Sequence, residues 1–160
     1  FIPLGSLITK TAKEIDGLEG VVLAAADGVQ SPDFIEASGD AAAGMYVSGP
    51  DLGFANDIYT TFLETYQTNY GSEPTAPFHA HAYDATMMLL NAIESVAQVG
   101  DDGSMLIGRQ ALLDAIGSTS GMEGITGTIS CDENGDCADP KIAVSQVQDG
   151  AFSSVWSYEP

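Results

Sequence analysis

Gly44-Met45-Tyr46-Val47-Ser48-Gly49-Pro50 decides how this chain is organised. It reads as a short strand that runs out of one sheet into a Gly-Pro break. Beyond the break a helical run ends Tyr66-Gln67-Thr68-Asn69-Tyr70-Gly71, and a second opens Phe78-His79-Ala80-His81-Ala82-Tyr83-Asp84-Ala85. A strand leaving a sheet, a crossing, and two helices in immediate succession predict that the chain passes near Pro50 from one structural unit to another.

Upstream of that crossing the pattern alternates. Leu7, Ile8, Ala12 and Ile15 recur at helical spacing before Gly17. Val21 to Ala26 is a continuous apolar run bounded by Gly20 and Asp27-Gly28, too short for an ordinary helix, and it predicts a strand buried on both faces. Ser31-Pro32-Asp33 supplies an N-cap, a proline at the first helical position and an acidic first turn, so a short helix through Phe34 and Ile35 is expected, ending near Gly39. This order implies parallel strands joined by helical crossovers, an α/β fold. Phe1-Ile2-Pro3 reads as the end of a buried strand. A fragment of a longer protein, or a mature chain cut after a signal peptide, would both begin in this way.

Downstream, the spacing predicts helices over Phe54 to Tyr70, from Phe78 towards Gly100, and over Arg109 to Ile116. Gly127 to Cys131, Ile142 to Val147 and Phe152 to Trp156 read as strands, joined at Asn134-Gly135 and Asp149-Gly150, both strong hairpin signals.

The chain has 160 residues, and only four are cationic (Lys10, Lys13, Arg109, Lys141) against 23 acidic, a formal charge of −19. Such a field repels nucleic acid and anionic membrane surfaces, whose non-specific affinity comes from cations displacing counterions. Solubility, or tolerance of a salty medium, explains the charge without any ligand. No apolar run reaches the length of a membrane helix.

Cys131 and Cys137 are the only cysteines and bracket Asp132-Glu133-Asn134-Gly135-Asp136. At the base of a hairpin they can meet disulfide geometry, and a loop this short gains about 2 kcal/mol on the entropic formula. A disulfide implies an oxidising compartment, and free thiols in a cytosolic hairpin are the alternative. Zinc lacks a second ligand pair. His79 and His81 stand two apart on a helix and do not share a face, so one polar and one packed histidine are expected rather than a metal clamp. Asp132, Asn134 and Asp136 mimic the start of a calcium loop, but the glycine is misplaced and no glutamate closes it. No Gly-x-Ser-x-Gly elbow follows a strand, and Cys131 has no evident base, so catalysis finds no support. No cofactor motif is present.

Asp27 stands directly after the Val21 to Ala26 strand, at the carboxyl end where open parallel sheets bind ligands. It faces a cationic ligand group there, or it only caps a turn with Gly28. Tyr46, Phe78 and Tyr83 are candidates for the apolar lining of a cleft, and equally for core.

In their order, these segments resemble the C-terminal half of type I periplasmic solute-binding proteins, in the branch serving branched-chain amino acid ABC importers. The resemblance rests on Ala26-Asp27-Gly28, Ser31-Pro32-Asp33-Phe34, Gly39 to Gly44, Tyr46 to Pro50, Tyr70-Gly71, Ala82-Tyr83-Asp84-Ala85, Gly124-Ile125-Thr126-Gly127 and Asp149-Gly150-Ala151-Phe152. It implies two α/β lobes with parallel sheets flanked by helices, joined by hinge strands around a small-molecule ligand. Residues 1–48 would then be the later part of the second lobe, 49–131 part of the first, and 132–160 a hairpin and return strands through the hinge.

The resemblance sets Asp27 against a ligand ammonium and Phe78 near the ligand side chain, with Tyr46 and Tyr83 as further lining. It implies a membrane permease as partner, or a signalling domain if the chain is a receptor ectodomain. It also implies a periplasmic or extracellular location, with lipoprotein anchoring as one form. Half a cleft would bind weakly or not at all, and its uncovered surfaces would favour self-association. Asp27 replaces the longer glutamate of some members, and the cysteine pair is a departure from the family pattern.

Overall fold

The computed structural model describes residues 1–137 and 141–158. Residues 138–140 and 159–160, within the expected return segment, lie outside the described residues. The chain divides into two compact units, one made of residues 1–53, 66–78 and 140–160, the other of residues 54–65 and 79–139.

The first unit is built on a four-stranded sheet in the order β1-β2-β7-β8. Helix α1 (Ile2–Glu14) precedes β1 (Ala24–Ala26); α2 (Pro32–Ser38) leads to β2 (Tyr46–Pro50). β1 and β2 are parallel, pairing Ala24 with Tyr46 and Ala26 with Ser48. β7 (Ile142–Gln148) runs antiparallel to β2, and β8 (Ala151–Ser157) antiparallel to β7. The Asp149-Gly150 turn has positive φ at both residues, 50° and 77°, the backbone that a two-residue hairpin between right-twisted strands requires. α2 follows the sequence reading: the Ser31 hydroxyl accepts from the Asp33 N–H at 3.3 Å, Pro32 occupies the first turn, and Gly39 ends it at φ 57°. Phe34, Ala42, Met45, Val47 and Val147 form the core of this unit, with Ile2, Ala25 and Phe152 packed against it.

Two expectations fail here. Phe1-Ile2-Pro3 is not a strand end: Phe1 is 96% exposed and Ile2 opens α1, because a proline in the first helical turn withholds no needed donor. The strand in Val21 to Ala26 covers only its last three residues and is an edge, with Val22 69% exposed. α1 also turns its apolar stripe outward. Its buried side carries Gly5, Ser6 and Thr9; the Thr9 hydroxyl donates to the Gly5 carbonyl at 2.9 Å, and a Cβ on Gly5 would lie 2.8 Å from Val29. The small residues let the helix backbone approach the turn after β1, which leaves Leu4, Leu7 and Ile8 exposed.

The second unit contains the start of α3 (Asp57–Tyr70), α4 (His79–Val96) and α5 (Arg109–Gly117). Two small hairpins accompany them, β3 (Gln98–Val99) with β4 (Met105–Leu106) and β5 (Met122–Glu123) with β6 (Thr128–Ile129). β6 therefore pairs with β5 and not across Asn134-Gly135. That turn instead closes on itself, since the Asp132 carboxylate accepts from the N–H groups of Asn134 and Asp136 at 2.8 and 2.9 Å. A local carboxylate satisfies the donors that a partner strand would otherwise have taken. Cys131 and Cys137 form a disulfide across it.

Candidate functional site

The carboxyl ends of β1 and β2 carry the site. β1 ends at Ala26, and Asp27-Gly28-Val29 follows as a 3-10 turn, held by the Gln30 N–H donating to the Asp27 carbonyl at 2.9 Å. The turn is tied down by Val29, buried in the core, so the half-buried Asp27 is fixed at the end of the sheet. Its carboxylate accepts no hydrogen bond from the described residues, not even from the turn it begins.

Asp27 lines a cavity of about 390 Å³ together with Phe1, Gln30, Ser31, Asp33 and Phe78. A second cavity of about 390 Å³ shares Asp27 and Phe1 and is otherwise apolar, with Leu4, Ile8 and Val29. No lysine, arginine or histidine lines either one among the described residues. The polar groups of the first cavity are carboxylates, a carboxamide and hydroxyls, an acceptor-rich wall beside aromatic rings. Such a surface suits a ligand with a cationic donor and an apolar body.

Of the four residues that the sequence singled out for ligand contact, Asp27 and Phe78 line the same cavity. Tyr46 lies half-buried on β2, paired with Ala24 and Gln146, and touches neither cavity. Tyr83 belongs to the second unit, where its ring meets Phe62 edge-on at 5.3 Å.

Gln30 was not legible as a site residue. It stands three positions after Asp27 with no motif of its own, and only the fold turns its side chain back over Gly49. A Cβ on Gly49 would collide with the Gln30 carboxamide oxygen and lie 3.4 Å from the Asp27 Cβ, so both side chains pack on the bare backbone at this point of β2.

The second unit holds a different constellation. The His79 ring stacks on Tyr59 at 5.7 Å and Phe62 at 5.9 Å, with the Tyr59 hydroxyl 3.0 Å from His79 Nε2. His81 packs edge-on to Phe54 at 6.2 Å; burial lowers its pKa, opposed by the nearby Asp84 carboxylate. Among the described residues no group of three or more His, Cys, Asp or Glu side chains is arranged to hold a metal ion, and no helix is long and apolar enough to cross a membrane.

Comparison with known proteins agrees with this architecture. A family model described as "Periplasmic binding protein" matches residues 5–151. The crystal structure of a leucine binding protein, LivK, from Thermotoga maritima is 31% identical with a TM-score of 0.78, the match covering 100% of this chain and 43% of that one. The branched-chain amino acid transporter substrate binding protein LivJ from Streptococcus pneumoniae, in complex with isoleucine, superposes with a TM-score of 0.74 at 19% identity, again covering 100% and 43%. An extracellular ligand-binding receptor from Rhodopseudomonas palustris gives a TM-score of 0.70 at 21% identity, over 96% and 45%.

No curated protein matches the sequence. The chain thus spans less than half the length of these structures. The fold is the mixed α/β fold of type I periplasmic binding proteins, and the family consists of solute-binding proteins rather than enzymes. With residues 5–151 matched to its model, the chain belongs to the periplasmic binding protein family.

Proposed function

We propose that this chain is the later part of an extracytoplasmic solute-binding protein that takes an amino acid or a similar small polar solute between two lobes and delivers it to an ABC permease. One observation carries this reading: Asp27, at the carboxyl end of the parallel β1-β2 pair, lines the same cavity as Phe78, on a wall without Lys, Arg or His side chains among the described residues. Asp27 takes the ligand ammonium and Phe78 its apolar part. The LivJ structure, which holds isoleucine, is consistent with a ligand of this kind.

The assignment of residues 1–48 to a second lobe, 49–131 to a first and 132–160 to a return through the hinge is part of the proposal. The division into two compact units supports two lobes, with residues 66–78 grouped with 1–53 rather than with 54–65. The pairing of β7 with β2 from Tyr46 to Pro50 supports the return, since it brings the late segment back beside the strand that leaves at Pro50. Ligand contacts made by both lobes favour the closed form, which a permease then recognises. The disulfide supports a periplasmic or extracellular location, where lipoprotein anchoring would keep the protein near its permease.

The second reading is a receptor ectodomain of the same fold, favoured by the similarity to the Rhodopseudomonas receptor. Ligand chemistry is common to both readings. A thermal-shift screen of the chain extended to the length of its relatives, against amino acids, amides, urea and aromatic acids, tests that chemistry. Stabilisation by amino acids supports the proposal. A protein stabilised by none of the four classes, or only by aromatic acids without an ammonium group, overturns it.

A further inference from the structure

We propose that Gln30 is a ligand-specificity residue of this cavity, and that the group it recognises together with Asp27 is a primary ammonium rather than an N-alkylated one. The inference rests on the amino-acid reading above and goes beyond it in assigning the second acceptor and the degree of substitution at nitrogen.

Gln30 is only 8% exposed, yet its carboxamide oxygen has no hydrogen-bond partner among the described residues. A buried polar atom without a partner is costly, and the great majority of such atoms in folded proteins have one. The side chain lines the Asp27 cavity, and Oε1 lies against Gly49, where a glycine alone leaves room for it. Rotation about the terminal torsion of a glutamine is soft. A half-turn exchanges the places of Oε1 and Nε2 without moving the main chain, so a donor entering the cavity can draw Oε1 toward it.

No other group on this wall hydrogen-bonds the carboxamide oxygen among the described residues. Asp27 and Asp33 are acceptors, and the Ser31 hydroxyl, which accepts from the Asp33 N–H, makes no bond to Gln30 with its own proton. That leaves the oxygen open to a donor from the ligand. A primary ammonium has three N–H donors, so it can give one to Asp27 and a second to Gln30 at once. A tertiary ammonium has one, which the carboxylate takes first, and a quaternary ammonium has none.

The test is NMR titration of the 15N-labelled chain extended to the length of its relatives with L-leucine and with N,N-dimethyl-L-leucine at millimolar concentration, in the wild type, Gln30→Leu and Gln30→Glu. L-Leucine is expected to shift the Gln30 side-chain NH₂ signals and the amides of Asp27, Gly28 and Gly49. Gln30→Leu is expected to weaken L-leucine about tenfold, the loss typical of one hydrogen bond to a charged group. Gln30→Glu should restore or exceed wild-type affinity. The dimethyl compound should bind about tenfold more weakly than L-leucine to the wild type and equally to both proteins once Gln30 is leucine, a coupling that loss of folding cannot imitate.

If L-leucine shifts the Asp27 amides but binds Gln30→Leu unchanged, the Gln30 assignment falls and the amino-acid reading stands. Weaker binding by Gln30→Glu would show the carboxamide acting as donor and overturn the proposal. If L-leucine leaves every resonance of the cavity in place, both readings fall together.

Discussion

Asp84 and Thr126 are joined through a single carboxylate oxygen: Asp84 Oδ2 accepts from the Thr126 backbone N–H and from its hydroxyl, each at 2.8 Å. The other oxygen accepts from the Ile125 N–H at 2.8 Å. Asp84 is 3% exposed on α4, and Ile125 is among the most deeply buried side chains of the molecule. The carboxylate thus fastens the loop before β6 onto α4 and satisfies donors that no strand pairing reaches. A Cβ on Gly124 would fall 2.7 Å from the carboxyl carbon, so the glycine is what lets the loop close on the acid.

Asp84→Ala is therefore expected to destabilise the protein by about 3 kcal/mol, because it removes charge-assisted bonds and leaves a buried N–H without a partner. Gly124→Ala should cost about 1–3 kcal/mol by pushing the loop off the carboxylate. Urea unfolding followed by far-UV dichroism measures both, and wild-type midpoints in the two variants would show that the clasp does not hold this unit.

Asp27→Ala should behave in the opposite way, changing binding and not stability. In the chain extended to the length of its relatives, loss of one charge-assisted bond of roughly 1.5–3 kcal/mol weakens an amino-acid ligand tenfold or more. Folding should be little affected, since the carboxylate receives no hydrogen bond from the described residues. Calorimetry that returns an unchanged affinity would remove Asp27 from the site.

Both residues show how far the sequence could be read. Ala82-Tyr83-Asp84-Ala85 and Gly124-Ile125-Thr126-Gly127 were each visible as motifs, but nothing in one points to the other across 42 positions. The α2 cap and the Asp149-Gly150 turn were legible because their determinants are local, a side chain bonding its own turn and a backbone needing positive φ. Strand extent was not legible, because Val21 and Val22 carry the composition of a buried strand while only tertiary partners decide whether they become one. The helix α1 was legible, but its buried side was not, for a related reason. Periodicity locates an apolar stripe without saying which side meets the sheet, and the close approach that Gly5 permits decided it. Asp27 could be placed at a strand end from sequence, whereas Gln30 required knowing that its side chain folds back onto Gly49.

Acid should weaken the second unit in two separate steps. Burial lowers the pKa of His81 below its ordinary value of about 6.5, outweighing the opposite pull of Asp84 and reinforced by His79. The unfolded chain therefore binds the His81 proton more readily than the folded one. The neutral ring contributes its stability above about pH 6.5 and loses it as pH falls below that value. Asp102 and Asp132, lowered by hydrogen bonds from backbone or side-chain donors, contribute above the carboxylate range and lose that contribution only at lower pH. Melting temperature against pH should accordingly decline first as pH falls below about 6.5 and again below about pH 4, and His81→Phe should abolish the first step alone. A His81→Phe profile that coincides with wild type over the upper interval would exclude this histidine as the source.

Self-association should follow from the outward stripe of α1. Phe1, Leu4, Leu7, Ile8 and Val22 are exposed together with the β1 edge, whose Ala24 to Ala26 backbone carries no charge or proline to discourage pairing. Burial of such apolar surface contributes about 25 cal/mol per Å². A net charge of −19 on each copy opposes the contact at low ionic strength. The balance depends on salt, because the repulsion is screened over about 10 Å at 0.1 M while the apolar term is not. Light scattering at high protein concentration should therefore show mass increasing with added sodium chloride, and Leu7→Lys with Ile8→Lys should hold the chain monomeric throughout. A wild-type chain that stays monomeric at high salt would mean that the α1 stripe, though apolar and exposed, does not present a surface on which two copies can close.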